Sequence, residues 1–177
     1  NPDEAPSITV ESKCYALAID LDGDVYISAA SEHAIERWRT GESHATLVAG
    51  GSKGDSLNQF DEPRYLFIDH AKSLYVSDMF NNRVMKWVKD ADEGIVVAGQ
   101  GALDDLAELH YPSGLSVDRF GNIHAADNRY RSITHFSPSS KKSSIVVGGS
   151  GPGDATNQLN DPEEIFFDRH GNLYVVD

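Results

Sequence analysis

Two recurring sets of aspartates and seven histidines are the residues whose types could do chemistry. Asp20, Asp69, Asp118 and Asp168 follow one another at intervals of 49, 49 and 50 residues, and Asp78, Asp127 and Asp177 at 49 and 50. Carboxylates recurring around a ring would supply the hard oxygens that Ca²⁺ takes, about six to eight at a time. The opposing reading is that each Asp accepts backbone N–H bonds in its own turn. A residue present in every repeat serves the repeat, so Asp69, Asp78, Asp118, Asp127, Asp168 and Asp177, with Arg83, are assigned to structure. The run Asp20-Leu-Asp22-Gly23-Asp24 has its Gly at the fourth place where a calcium loop needs it at the sixth, and reads as a hairpin turn.

The histidines are His33, His44, His70, His110, His124, His135 and His170. None forms the His-x₃-His or His-Glu-x-x-His pattern that puts two imidazoles on one face. They fall at different positions of the repeat, so they do not converge on one ion. No Gly-x-Ser-x-Gly elbow is present, and Cys14 has no evident His partner. The glycine-rich runs at 49–54 and 147–153 lead into no helix and lack a Gly-Lys-Ser/Thr end, which makes them loops rather than phosphate cradles. The expectation is no catalytic residue, no metal and no cofactor.

The elements that must position these residues follow from the period. Pro112-Ser-Gly-Leu-Ser-Val-Asp118 continues to Gly121-Asn122-Ile-His-Ala-Ala-Asp127; it recurs at Pro63 to Asp78, at Pro162 to Asp177, and more weakly from Cys14 to Tyr26. A fixed period of this length indicates a repeat architecture. Each unit holds four short apolar runs: in the second, Tyr65 to Ile68, Leu74 to Ser77, Arg83 to Val88 and Ile95 to Ala98. The near-continuous first run predicts a strand buried on both faces. Gly-Asn and Asp/Asn clusters between the runs predict tight turns. Four antiparallel strands per unit describe a propeller blade.

The expected fold class is therefore all-β: a β-propeller arc of about three and a half four-stranded blades. Residues 1–13 are a linker or remnant strand, 14–62 blade 1, 63–111 blade 2, 112–161 blade 3 and 162–177 the first half of blade 4. Propellers close with about four to eight blades. The arc is thus read as a fragment of a closed ring, six-bladed by expectation; the alternative is two copies pairing into a seven-bladed ring.

Gly114-Leu115-Ser-Val117-Asp118 with Gly121-Asn122-Ile123, and Tyr75-Val76-Ser-Asp78 with Asn81-Asn82-Arg83-Val84, resemble the NHL repeat, over residues 14–177. Blade 1 departs from it, with Cys14 for Pro, Ala29 for Asp and Ala34 for Arg83; blade 3 has Ser132 in the Arg83 place. The resemblance implies an interaction propeller, or the substrate-recognition part of a RING-type ubiquitin ligase, a reading that a Cys/His zinc framework upstream would favour. One similar family, the peptidyl-amidating lyases, uses zinc histidines where the first strand of a blade begins. The corresponding places here are Tyr15, Arg64, Ser113 and Glu163, which argues against a lyase.

Charge narrows the partners. Fifteen Lys and Arg against 28 Asp and Glu leave −13, and binding to phosphate backbones depends on cations, so neither nucleic acid nor an anionic membrane surface is expected. No apolar run approaches the roughly 20 residues of a membrane span. The single Cys and the lack of an Asn-x-Ser/Thr site lean weakly toward the cytoplasm without deciding the compartment. What remains is recognition of a protein or peptide, on loops gathered at one face of a rigid scaffold. The second-to-third-strand turns and the fourth-to-first loops share that face. Phe80, Asn82, Arg129, Tyr130 and Arg131 are the candidate contacts there, since aromatics and Arg dominate protein hot spots.

Overall fold

A computed structural model describes residues 12–100, 108–140 and 142–177. Most of the expected N-terminal linker, with Ile8-Thr9-Val10, lies outside the described residues, as does part of the loop between Gly99 and Tyr111.

Among the described residues fourteen strands form sheets in strict chain order. The first sheet is β1 (Cys14–Ile19), β2 (Val25–Ala29), β3 (Ala34–Trp38) and β4 (Thr46–Gly50). The second is β5 (Pro63–Ile68), β6 (Leu74–Asp78), β7 (Arg83–Trp87) and β8 (Ile95–Gly99). The third is β9 (Pro112–Val117), β10 (Ile123–Asp127), β11 (Ser132–Ser137) and β12 (Lys142–Gly148). A hairpin of β13 (Glu164–Phe167) and β14 (Leu173–Val176) makes the fourth. Every pairing is antiparallel. The first strands of successive sheets, β1, β5, β9 and β13, run beside one another, as the inner strands of propeller blades do. Among the described residues no helix is long and apolar enough to cross a membrane.

The core lies between sheets rather than within one. Tyr26, Ile35 and Ala49 of the first sheet pack on Leu66, Leu74, Val76, Met85 and Trp87 of the second. Tyr75, Val84 and Ala98 pack on Leu115, Ile123, Ala125 and Phe136 of the third, and Ala126 and Ile133 on Ile165 of the fourth. Each of these layers is closed by one apolar residue from the connecting loop, Phe60, Leu109 or Leu159, three residues before the Pro that opens the next unit. A blade buries its faces only on its neighbours, and the loop residue seals the seam.

Burial corrects one expectation in part. The inner strands differ: β1 carries half-buried and exposed residues and β5 mostly half-buried ones, whereas β9 is buried at five of its six positions, as a strand covered on both faces is. The second strands β6 and β10, with a sheet neighbour on each edge, are buried at every position.

Candidate loop-face site

The repeated aspartates have local partners. Oδ1 of Asp20 accepts the N–H of Asp22 and Asp24, that of Asp69 the N–H of Ala71 and Ser73, that of Asp118 the N–H of Phe120 and Asn122, and that of Asp168 the N–H of His170 and Asn172, all at 2.8–3.0 Å. Burial alone would raise the Asp118 carboxyl, but Asn122 (through side chain and N–H) and Phe120 outweigh it and hold it below the usual range.

The second set ties each loop to its blade. Asp78 accepts from the N–H of Asp61, Asp127 from His110 and Asp177 from Asn160, in every case 17 residues upstream. Asp78 is fully buried and pairs with Arg83 Nε at 2.8 Å. The Arg83 fork continues to the carbonyls of Asp55 at 2.7 Å, Ser56 at 3.0 Å and Gln59 at 3.1 Å. Burial pushes the Asp78 and Asp127 carboxyls upward, against the hydrogen bonds they receive.

The turns between second and third strands sit over these anchors. Ala30–Glu32 and Met79–Asn81 are single 3₁₀ turns, each followed by a left-handed residue, His33 at φ 52° and Asn82 at φ 53°. The matching place in the third sheet is Arg131, also at φ 53°. Beside each, the glycine ending the fourth strand (Gly50, Gly99 or Gly148) has positive φ, and a Cβ there would collide with the carbonyl oxygen of His33, Asn82 or Arg131.

This scaffold presents an aromatic strip. Phe80 and Tyr130, about half exposed at 48% and 49%, project from the turn tips of the second and third sheets. Phe80 meets Tyr111 edge-on at 6.2 Å, and Tyr130 meets His110 edge-on at 5.2 Å. Since His110 and Tyr111 adjoin in the chain, the four rings follow one another across two blades. On the other side of Phe80 is a small cleft of about 200 Å³, lined by Ala30, Ser31, His33, Asp61, Glu62 and two lysines, Lys13 and Lys53. Lys53 pairs with Asp61 at 3.2 Å, and His33 Nδ1 accepts the Glu62 N–H at 3.2 Å.

Of the five candidates read from sequence, Phe80 and Tyr130 enter the strip. Asn82 flanks it, with Oδ1 occupied by the Tyr111 N–H at 3.0 Å, so its side chain serves the loop. Arg129 is exposed and Arg131 half-buried, and neither joins an ion pair among the described residues. Reading the sequence missed His110 and Tyr111. Their signal was position: they occupy the two places before Pro112, in a loop assigned to the same face.

The places where a lyase would set zinc histidines are otherwise engaged. The Tyr15 hydroxyl donates to Glu62 at 2.8 Å, with the Arg64 guanidinium 4.4 Å from its ring centre. Ser113 is buried and donates to the Pro162 carbonyl at 2.6 Å, and Glu163 accepts from the Tyr65 hydroxyl at 3.5 Å. Among the described residues no three His, Cys, Asp or Glu groups cluster as metal ligands.

No family model matches the chain, and no curated protein does. Solved structures do. A protein of unknown function from Bacteroides thetaiotaomicron aligns at TM-score 0.74 and 21% identity, over 94% of this chain and 45% of that one. The nidogen/laminin complex aligns at 0.69 and 22%, over 93% and 56%. The virginiamycin B lyase of Staphylococcus aureus aligns at 0.65 and 15%, over 97% and 51%. The chain spans about half the length of these structures, and at such identities the likeness carries the fold and nothing finer. Sheet order, seam packing and these likenesses agree: the chain is built of β-propeller blades.

Proposed function

We propose that the chain is an NHL-type propeller module without catalytic function of its own, a scaffold that binds a protein or peptide on the loop face. The observation that carries this reading is the run of rings Phe80–Tyr111 and His110–Tyr130, three exposed and His110 half-buried, fixed across two blades by buried carboxylates. Aromatic side chains bury much area at little entropic expense, and rings held in place before binding lose less freedom on binding. Arg129 and Arg131, which join no ion pair among the described residues, flank Tyr130 and add fork donors suited to carboxylates on a peptide.

The test begins with partners recovered from cells by proximity labelling of the intact protein, then measured as purified pairs. Truncating Phe80 and Tyr130 to Ala should weaken a true loop-face partner at least about tenfold, as hot-spot losses do. Truncating the exposed Phe120, at the tip of the β9–β10 turn, should not. Unchanged affinity in the Phe80/Tyr130 variant would sink the loop-face reading.

A further inference from the structure

The β9–β10 and β13–β14 hairpins flank an open cleft of about 450 Å³ at the first-turn end of the third and fourth sheets. The repeat is broken here at its histidines. His124 occupies a place that is Tyr26, Tyr75 and Tyr174 in the other three sheets, and its cross-strand partner is His135 where the first two sheets have Arg37 and Lys86. The turn residue facing this seam from the fourth sheet is Gly171; Gly23 and Gly121 hold the same place in the first and third sheets, and Lys72 of the second, facing the first seam, is the exception.

The first seam shows what those residues do when present. Lys72 reaches back across it to Asp20 Oδ2 at 2.8 Å and to Asp22, while the Tyr26 hydroxyl contacts the same Asp20 oxygen at 3.4 Å. That seam is bridged by the ion pair, while the phenol binds Asp20 within the first sheet and packs against the second. At the third-to-fourth seam the bridging lysine is a glycine, and the phenol is a shorter imidazole.

The lining has a definite character. Asp118 and Asp168 are occupied: Oδ1 of each accepts two backbone N–H groups, and Oδ2 takes the side-chain amide of Asn122 or Asn172 at 2.8 Å. The cations are not. Arg119 and Arg169, at equivalent places of neighbouring sheets, both line the cavity, and neither ion-pairs with a carboxylate among the described residues. Lys72, Arg83 and Lys86 of the second sheet, by contrast, all face carboxylates. Rings form the walls: His124 lies 4.8 Å from Phe167, and Phe120, which is 73% exposed, carries the Arg119 guanidinium at 4.9 Å. His124 is only 9% exposed, and its Nδ1 has no hydrogen-bond partner among the described residues. Five other buried side-chain atoms share that state, so the nitrogen counts only together with the arginines and rings beside it.

From this we infer that the cavity between the third and fourth sheets is a binding site for a small aromatic anion, an aryl carboxylate or aryl phosphate, held by Arg119 and Arg169 with its ring against Phe167 and Phe120. Guanidinium forks match the planar or trigonal oxygens of both head groups. The overall charge of −13 does not forbid this, because exposed charges beyond about 8 Å are largely screened at physiological salt. Asp118 and Asp168 in the lining keep their charge, which neutral N–H donors do not cancel, and the guanidinium groups of Arg119 and Arg169 offset it one for one.

Titrating the intact protein with phenyl phosphate, benzoate, inorganic phosphate and phenol, followed by calorimetry and amide chemical shifts, tests the assignment. Saturable binding of phenyl phosphate or benzoate at about 1 mM or tighter is expected, with shifts centred on residues 117–124 and 167–171; the tighter of the two names the head group. Three variants locate it. Arg119→Ala with Arg169→Ala should weaken binding at least tenfold. His124→Tyr, which restores the residue of the other sheets and so should fold, and Gly171→Lys should each weaken it similarly by refilling the seam. Inorganic phosphate binding as tightly as phenyl phosphate would overturn the aromatic half of the assignment. Absence of saturable binding by either aryl anion, or affinity unchanged in the double-arginine variant and in His124→Tyr, would overturn the site.

Discussion

The second and third sheets are built from the same repeat, yet one is clamped and the other is left open. In the second, Asp78 pairs with Arg83, and Arg83 holds three loop carbonyls from the preceding connection. In the third, Asp127 still binds the His110 and Tyr130 N–H groups, but Ser132 stands where the guanidinium would be. The same contrast recurs at the opposite end. Tyr75 lies beneath Lys86 at 4.9 Å in the second sheet, whereas His124 in the third meets His135 at 4.9 Å. Shared positions preserve the strand pairing; the positions that differ decide where the molecule has unfilled polar valence. Departures from the repeat, more than the repeat itself, mark where function can reside.

The largest test of this contrast removes the clamp. Arg83→Ala leaves Asp78 buried without its cation and three carbonyls unpaired, and a destabilisation of about 3–5 kcal/mol is expected from urea unfolding. A loss below about 1 kcal/mol would mean that the loop holds itself, erasing the difference between the sheets.

Asp127→Ala should remove less. It orphans two backbone N–H groups but breaks no ion pair, and about 2 kcal/mol is expected, together with faster amide exchange at His110 and Tyr130. Equal losses in Arg83→Ala and Asp127→Ala would show that the carboxylate, not the guanidinium, does the holding in both sheets.

The histidine pair predicts a pH response confined to the third sheet. Burial, then the neighbouring His135, lower His124 to about 4 from an ordinary 6.5, against the favourable charge of Asp118. Arg119, Arg169, Asp168 and His170 are the other titratable groups lining the same cleft. Between those two values the unfolded chain binds a proton that the folded chain does not. Stability from this group is therefore full above about pH 6.5 and falls as the pH drops toward 4, by on the order of 1–2 kcal/mol after solvent screening at the cavity. Thermal melts at pH 7 and 4.5 should show a smaller acid loss in His124→Tyr than in the parent protein. An identical loss would sink the attribution to His124.

The smallest effect is expected at Lys72, which holds φ at 62° where Gly121 has 81°. Lys72→Gly relieves a strained backbone but takes a cation from the buried Asp20 carboxylate, which keeps its two backbone N–H donors, so the opposing effects are expected to leave a net change of about 1 kcal/mol. Its readout is instead ligand access: the variant should open the first seam toward the form of the third.

Much of this was legible before any coordinate. The period near fifty placed the strands within a few residues, and the Asp of the first turn announced its role because its partners lie two and four residues away. The strip was half legible. Phe80 and Tyr130 stood out as large side chains in turn positions, but His110 and Tyr111 looked like ordinary loop residues. The seam plugs Phe60, Leu109 and Leu159 had a signal that went unused: an apolar residue at constant spacing inside otherwise polar loops. The inner strands misled in part, because a near-continuous apolar run looks the same in β5, which is mostly half-buried, and in β9, which is buried nearly throughout.

By itself the sequence determined the all-β class, the strand order and the turn chemistry, because those depend on contacts between residues close in the chain and on a repeated period. Only the tertiary structure decided which carbonyls Arg83 would grip, 24–28 residues upstream, which rings would meet across two blades, and that a cleft would stand open beside His124. Those outcomes depend on how one sheet abuts the next. Packing of that kind is a property of facing surfaces, and no local spacing records it.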